Sequence, residues 1–293
     1  MQIIFCFGYL KINEKDLALA NWQFYLLVLS TVCIAAGGYI INNIFDQDTD
    51  LINDPKKVIV GTKISESMAY NFYVGFTIIG VALGFYLSNV IQRPGFSVVF
   101  ILIATLLYFY ATTLKQIAIV GNIVVSVLLA FSIIIVGVFE IFPATDDANR
   151  EHMKLLFSIL IDYSIIAFII NFIREIIKDC EDFEGDFNEG LKTLPIIFGK
   201  EKTSKLVAIL VLIPIVLIII YINNYLMNND LYYISAYLLL LIIGPLFYVL
   251  VKSISAKNKS DFKHLSLILK FVILFGIFSI LTLSFNINLN HVK

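Results

Sequence analysis

Charge is what this sequence has least of. Only 15% of its 293 residues are Asp, Glu, Lys or Arg, against about 25% in soluble domains. The net charge is −1, which leaves no electrostatic footprint for nucleic acid or for a strongly charged partner. Cysteine is scarce too. Cys6, Cys33 and Cys180 form no C-x-x-C pair and are odd in number, which argues against a disulfide framework or a thiolate metal site. His152, His264 and His291 stand far apart, in no zinc-ligand spacing. No Pro/Gly/Ser-rich linker or low-complexity tract divides the chain, so one membrane domain over 1–293 is expected.

Apolar residues fill the space: 59% of the chain is hydrophobic and the mean hydropathy is +0.90. They gather in runs of membrane-crossing length. Full spans are expected at roughly 22–46, 69–91, 96–114, 118–142, 154–179, 203–223, 231–252 and 264–286. The stretch from Gln2 to Leu10 is apolar but short. It has no basic start and no small-residue cleavage site, so it reads as the end of a helix and not as a signal peptide. The expected fold is all-α: a polytopic membrane bundle of nine transmembrane helices, the first truncated, around a central cavity.

The basic residues orient it. Lys56, Lys57, Lys63, Lys115, Arg174, Lys178, Lys192, Lys200, Lys202, Lys205, Lys252, Lys257, Lys259 and Lys263 fall on one side of such a bundle. Lys11, Lys15, Arg93, Arg150, Lys154 and Lys293 fall on the other, and Lys270 lies inside the last span. The positive-inside rule makes the first side cytoplasmic. An integral, multi-pass protein of the cell inner membrane is expected. Both long polar loops, 47–68 and 180–202, lie on that cytoplasmic side.

Each long loop begins with a column of acids. In the first, Asn42, Asp46 and Asp50 are spaced i, i+4, i+8 and share a helix face. In the second, Asp182 and Asp186 are spaced i, i+4, and Asp179 falls on the same face if the helix persists. One such column has an ordinary reading as a solvated helix end. Two of them, on one side of the membrane and each closing an apolar span, point to a shared site. Their oxygens suit Mg²⁺, which binds one or two carboxylates together with substrate phosphates. Two such cations would let a diphosphate sit against carboxylates, and nearby Lys or Arg would stabilise charge on a leaving diphosphate. The apolar bundle behind would hold a hydrocarbon chain away from water.

These residues resemble the UbiA superfamily of intramembrane prenyltransferases, which carry N-D-x-x-D-x-x-x-D after the second helix and D-x-x-x-D after the sixth. The run from Asp50 to Lys57, followed by Gly61-Thr62-Lys63-Ile64-Ser65, is similar to the digeranylgeranylglyceryl phosphate synthase-like branch. Homogentisate prenyltransferases carry a related run. Tyr110 to Lys115 and Gly121-Asn122 resemble further family positions, and the resemblance implies that Lys115 and Asn122 line the polar end of the cavity. Two departures stand out: Asn43 replaces the usual Asp, and Lys57-Val58 replaces the common Arg-Pro.

The resemblance implies an enzyme that transfers a prenyl group from a polyprenyl diphosphate to a lipophilic acceptor. Geranylgeranylglyceryl phosphate is the nearest acceptor by motif, and a quinone-precursor ring is the alternative. Asn42, Asp46, Asp50, Asp179, Asp182 and Asp186 are the expected Mg²⁺ ligands, with Asp46, Asp50, Asp182 and Asp186 catalytic. Asn42, Lys57, Lys115, Asn122, Arg174 and Lys178 are the expected substrate contacts. The bilayer is the expected surroundings, with no protein partner implied. A transporter with acids on its substrate path and a non-catalytic lipid-binding relative are the competing classes.

Overall fold

The computed structural model describes residues 1–14 and 16–291, the side chains of Lys57 and His291 excepted. Its helices are apolar nearly all round, as spans facing both lipid and neighbours must be. A short N-terminal helix, α1 (2–13), is followed by α2 (Asn21–Phe45) and a seven-residue helix, α3 (Gln47–Asn53). Then come α4 (Glu66–Val90), α5 (Ser97–Thr112), α6 (Val120–Glu140) and α7 (Arg150–Glu181). Two short helices, α8 (Phe183–Asn188) and α9 (Leu194–Phe198), precede α10 (Lys200–Asn229), α11 (Tyr232–Ser255) and α12 (Lys259–Asn290). Among the described residues, eight helices are long and apolar enough to cross a membrane. The α1 stretch is helical and packs against α12 and α6 but is too short to count among them. The eight match the expected full spans within a few residues. The chain is an integral, multi-pass membrane protein.

Large apolar side chains such as Ile78, Leu102, Ile209 and Leu240 face outward on these helices, as lipid contact requires. Inward, α2 packs on α4 and α5, while α7 packs on α6, α10 and α12. Small residues let the α2 and α4 backbones close up: Ser30 Oγ donates to the Gly80 carbonyl at 2.7 Å, and Gly37 abuts Thr77. At the opposite end from the acidic motifs, Glu140 is fully buried. Its carboxylate accepts the Leu19 N–H at 3.1 Å and a contact from Cys6 Sγ at 3.6 Å, pinning the α1–α2 loop. Pro214 and Pro245 both lie within spans. A π-turn over Leu239–Ile243 widens the helix just before Pro245, where the ring cannot donate to the ladder.

Candidate active site

Both acidic motifs are built the same way. The α2 helix ends at Asp46, whose φ of −98° and ψ of 6° set off α3 as a separate segment. The α7 helix ends at Asp182, whose φ of −91° and ψ of 7° set off α8. Both aspartates occupy the bridge region of backbone space, where active-site residues are common. The helices therefore do not run on unbroken through the motifs, as the spacing argument supposed. The i+4 bonds nevertheless continue across each joint, from Asp50 N–H to the Asp46 carbonyl at 2.8 Å and from Asp186 N–H to the Asp182 carbonyl at 3.1 Å. Each column of acids is preserved.

The two joints are tied together by Asn53, at the end of α3. Its Nδ2 donates to the Asp182 carbonyl at 3.2 Å. Its Oδ1 accepts the Gly185 N–H at 3.1 Å. Its own carbonyl accepts from Lys259 Nζ, on α12, at 2.8 Å. Gly185 has no room for a side chain: an added Cβ would meet the Asn53 amide nitrogen, then Asn53 Cγ at 2.7 Å and the Thr49 carbonyl at 2.9 Å. A residue without Cβ is what lets α8 lie against α3. Sequence reasoning assigned no role to Asn53, Gly185 or Lys259. The DxxNxP run and the Gly185-Asp186 pair were visible, but a contact between segments some 130 residues apart has no local signature.

The acids converge electrostatically. Burial raises the Asp186 carboxyl to about 7, helped by the charges of Asp182 and, across the joint, Asp46. Burial raises Asp182 to about 6; Lys178 pulls it back down, while Glu181 and Asp50 push it up. Like charges gathered in a low dielectric demand a counter-cation. Lys115 supplies one, as an ion pair with Asp46 Oδ1. Asp46 Oδ2 accepts from Asn42 Nδ2. That leaves Asn42 Oδ1 buried with no hydrogen-bond partner, an oxygen ligand waiting beside a carboxylate. Asn43, the departure from the family pattern, is exposed and outside this column.

The other expected site residues divide. Lys178 is solvent-accessible and within electrostatic reach of Glu175 and Asp182. Arg174 is held by Glu175. Asp179 Oδ2 accepts from Asn122 Nδ2, on α6, at 2.9 Å, and Asp186 of the second column lies within electrostatic reach. Asn122 is buried, and its carbonyl accepts from Ser126 Oγ at 2.6 Å, which in turn accepts from Asn171 Nδ2 at 3.3 Å. Asp179 and Asn122 thus begin a buried polar ladder between α6 and α7. The Lys57 side chain lies outside the described residues. Among the described residues no three acids, histidines or cysteines form a ready-made metal cage. That suits Mg²⁺, which keeps waters and binds through one or two carboxylates plus phosphate oxygens.

Residues 4–275 match the UbiA prenyltransferase family. The chain belongs to that family. The UbiA chain is 32% identical over 243 residues to the digeranylgeranylglyceryl phosphate synthase of Methanosphaera stadtmanae, covering 80% of this chain and 79% of that one. A solved structure concerned with digeranylgeranylglyceryl phosphate synthase in membranes superposes with a TM-score of 0.62 at 23% identity, over 96% of this chain and 91% of the other. A UbiA homolog from Archaeoglobus fulgidus, solved with DMAPP and Mg²⁺, gives a TM-score of 0.57 at 18% identity over 95% and 92%. These likenesses establish the fold, and family membership makes the chain a prenyltransferase. A transporter is set aside: the acids lie at helix ends and pair with basic groups, as a diphosphate site requires.

At Asp182 and Asp186 a proton would compete with a divalent cation. Apparent Mg²⁺ affinity should therefore tighten as pH rises from about 6 to about 8, and Asp186→Asn should flatten the upper part of that rise. The stability effect has the opposite sign. A carboxyl with a raised pKa holds its proton in the native state and releases it on unfolding, so the metal-free protein loses stability as pH rises through 6 to 7. Thermal unfolding with and without Mg²⁺ and diphosphate checks this. A pH-independent affinity would contradict it.

Proposed function

We propose that this chain, as a single membrane domain, transfers the prenyl group of a polyprenyl diphosphate, of the geranylgeranyl class, to the free hydroxyl of geranylgeranylglyceryl phosphate. Mg²⁺ is the required cation and diphosphate the leaving product. The carrying observation is the joining of two acid columns through Asn53 and Gly185, beside the unpartnered Asn42 Oδ1. Asn42, Asp46 and Asp50 would hold one cation and Asp182 and Asp186 the other. When bound, Mg²⁺ supplies the charge that lets diphosphate sit among carboxylates and leave as an anion.

The residues of the chain do the rest. Lys115 is placed to turn from Asp46 to a phosphate oxygen, and Lys178 stands within electrostatic reach of Asp182. Both stabilise negative charge as the allylic C–O bond breaks and its electron pair leaves with diphosphate. The apolar bundle holds the prenyl chain and keeps water from the allylic carbon. The acceptor hydroxyl then forms the ether bond and gives up its proton to the released diphosphate. Asp179 and Asn122 line the polar mouth of the α6–α7 interface and orient that acceptor. Lys57 is assigned to the acceptor phosphate on the family pattern. The site opens to the cytoplasm, by the excess of Lys and Arg on that side, in the cell inner membrane.

The test is a reconstituted assay with labelled geranylgeranyl diphosphate and a panel of acceptors. The expected product is the glyceryl diether phosphate. Product with an aromatic acceptor alone would overturn the acceptor assignment. Excess chelator should stop turnover and added Mg²⁺ restore it; turnover undiminished in chelator would exclude the two-cation site.

A further inference from the structure

A second carboxylate-bearing space lies well away from the motifs. Asp162 is the only charged residue between Lys154 and Arg174. It sits 20 residues before Asp182 on α7, which is about 30 Å along the helix. Intramembrane carboxylates ordinarily pair with a basic group or a hydrogen-bond donor. Glu140 does so, through Leu19 and Cys6. Asp162 does not: among the described residues no hydrogen bond or ion pair reaches it.

Asp162 opens onto a chamber of about 270 Å³ between α7, α10, α11, α12 and the start of α1. The walls are almost entirely apolar, with Ile170, Ile218, Leu238 and Ile277 among them. Tyr221, on α10, lies at the wall within electrostatic reach of Asp162. No hydrogen bond reaches its hydroxyl among the described residues. Tyr163, by contrast, is already satisfied by Ser279 at 2.8 Å. The chamber is roomy opposite Gly276, where an added Cβ would meet nothing within 4 Å.

The polar pair selects the ligand. An acceptor and a donor, both unmatched in an apolar wall, cost free energy until one group answers both. A hydroxyl does: it donates to the Asp162 carboxyl and accepts from the Tyr221 phenol. An ammonium group could donate to both but would leave the Tyr221 O–H without an acceptor. A phosphate would set its negative charge against the Asp162 carboxylate in an apolar wall. We propose that this chamber is a second lipid site, which binds a neutral long-chain alcohol with its hydroxyl between Asp162 and Tyr221 and its hydrocarbon along α10 and α12.

The experiment is photolabelling of the whole protein in lipid nanodiscs with a diazirine-bearing C20 prenyl alcohol, with peptide mapping of the adducts. Labelling should fall on the Asp162–Ile170 or Ile273–Leu283 segments. Excess unlabelled alcohol should compete, while its methyl ether and its monophosphate should not. Asp162→Leu and Tyr221→Phe should each lower saturable labelling by about tenfold. Gly276→Phe, which fills the chamber, should do the same even if Asp162→Leu fails to fold. Asp46→Ala, which disables the diphosphate site, should label normally. Equal competition by the methyl ether, or labelling that survives Gly276→Phe, would overturn the proposal. Displacement by geranylgeranyl diphosphate with Mg²⁺ would also overturn it, because the chamber would then be the far end of the donor's path.

Discussion

Asp46→Ala and Asp182→Ala should each lower prenyl transfer by at least about a hundredfold to a thousandfold, the scale on which one preorganised electrostatic group acts. Each replacement does more than remove one oxygen ligand. Asp46 anchors Lys115 and the Asn42 amide at once, so its loss also frees the cation and amide that should meet the diphosphate. Asp182 feels both Lys178 and Asp50, so its loss unbalances the facing column. The measurement is single-turnover transfer from labelled prenyl diphosphate, with size-exclusion and thermal unfolding as controls for folding. Full activity in either folded variant would end the two-column reading. Asn43→Asp, by contrast, should change little, since that side chain is exposed and outside the column.

Gly185→Ala should be nearly as damaging, although it touches no substrate. Its Cβ meets the Asn53 side chain, which can shift, and the Thr49 carbonyl at 2.9 Å, which is backbone and cannot shift cheaply. The α8 segment must then move off α3, carrying Asp186 away from Asp46. Misplacement of this kind by about 1 Å costs on the order of a hundredfold in rate. Asn53→Ala should cost somewhat less, since it removes the two bonds but creates no clash. The two effects should not add, because both act on one contact. The checking measurement is kcat against KM in the single and double variants, alongside Mg²⁺ affinity. Additive losses with unchanged Mg²⁺ affinity would show that the joint does not position the acids.

Much of this was legible in one dimension because a membrane imposes simple rules. A helix must be about 20 apolar residues long to satisfy its backbone in lipid, so α2, α4 and the later spans announce themselves by length alone. Asp46 and Asp182 were legible because carboxylates closing such spans are costly and rare. The i, i+4 spacing placed Asn42, Asp46 and Asp50 on one face, and the structure keeps that face although the helix breaks at Asp46. Asp179 was assigned to the second column by the same spacing. The structure turns it toward Asn122, because a buried carboxylate takes the nearest donor and that donor lies on another helix.

The sequence by itself determined the class of molecule, the spans and the two acidic motifs, all through composition and local periodicity. Only the tertiary structure decided that the two motifs lie against each other. That depends on Asn53 bridging to Asp182 and Gly185, on Lys259 closing over Asn53, and on Lys115 reaching Asp46 from the α5–α6 turn. It also decided that Asp162 faces an apolar chamber with Tyr221, whereas Glu140 is answered by Leu19 and Cys6. The physical reason is common to all of these. The effect of a buried polar group depends on which donors and charges surround it in space, and those come from helices far apart in the chain.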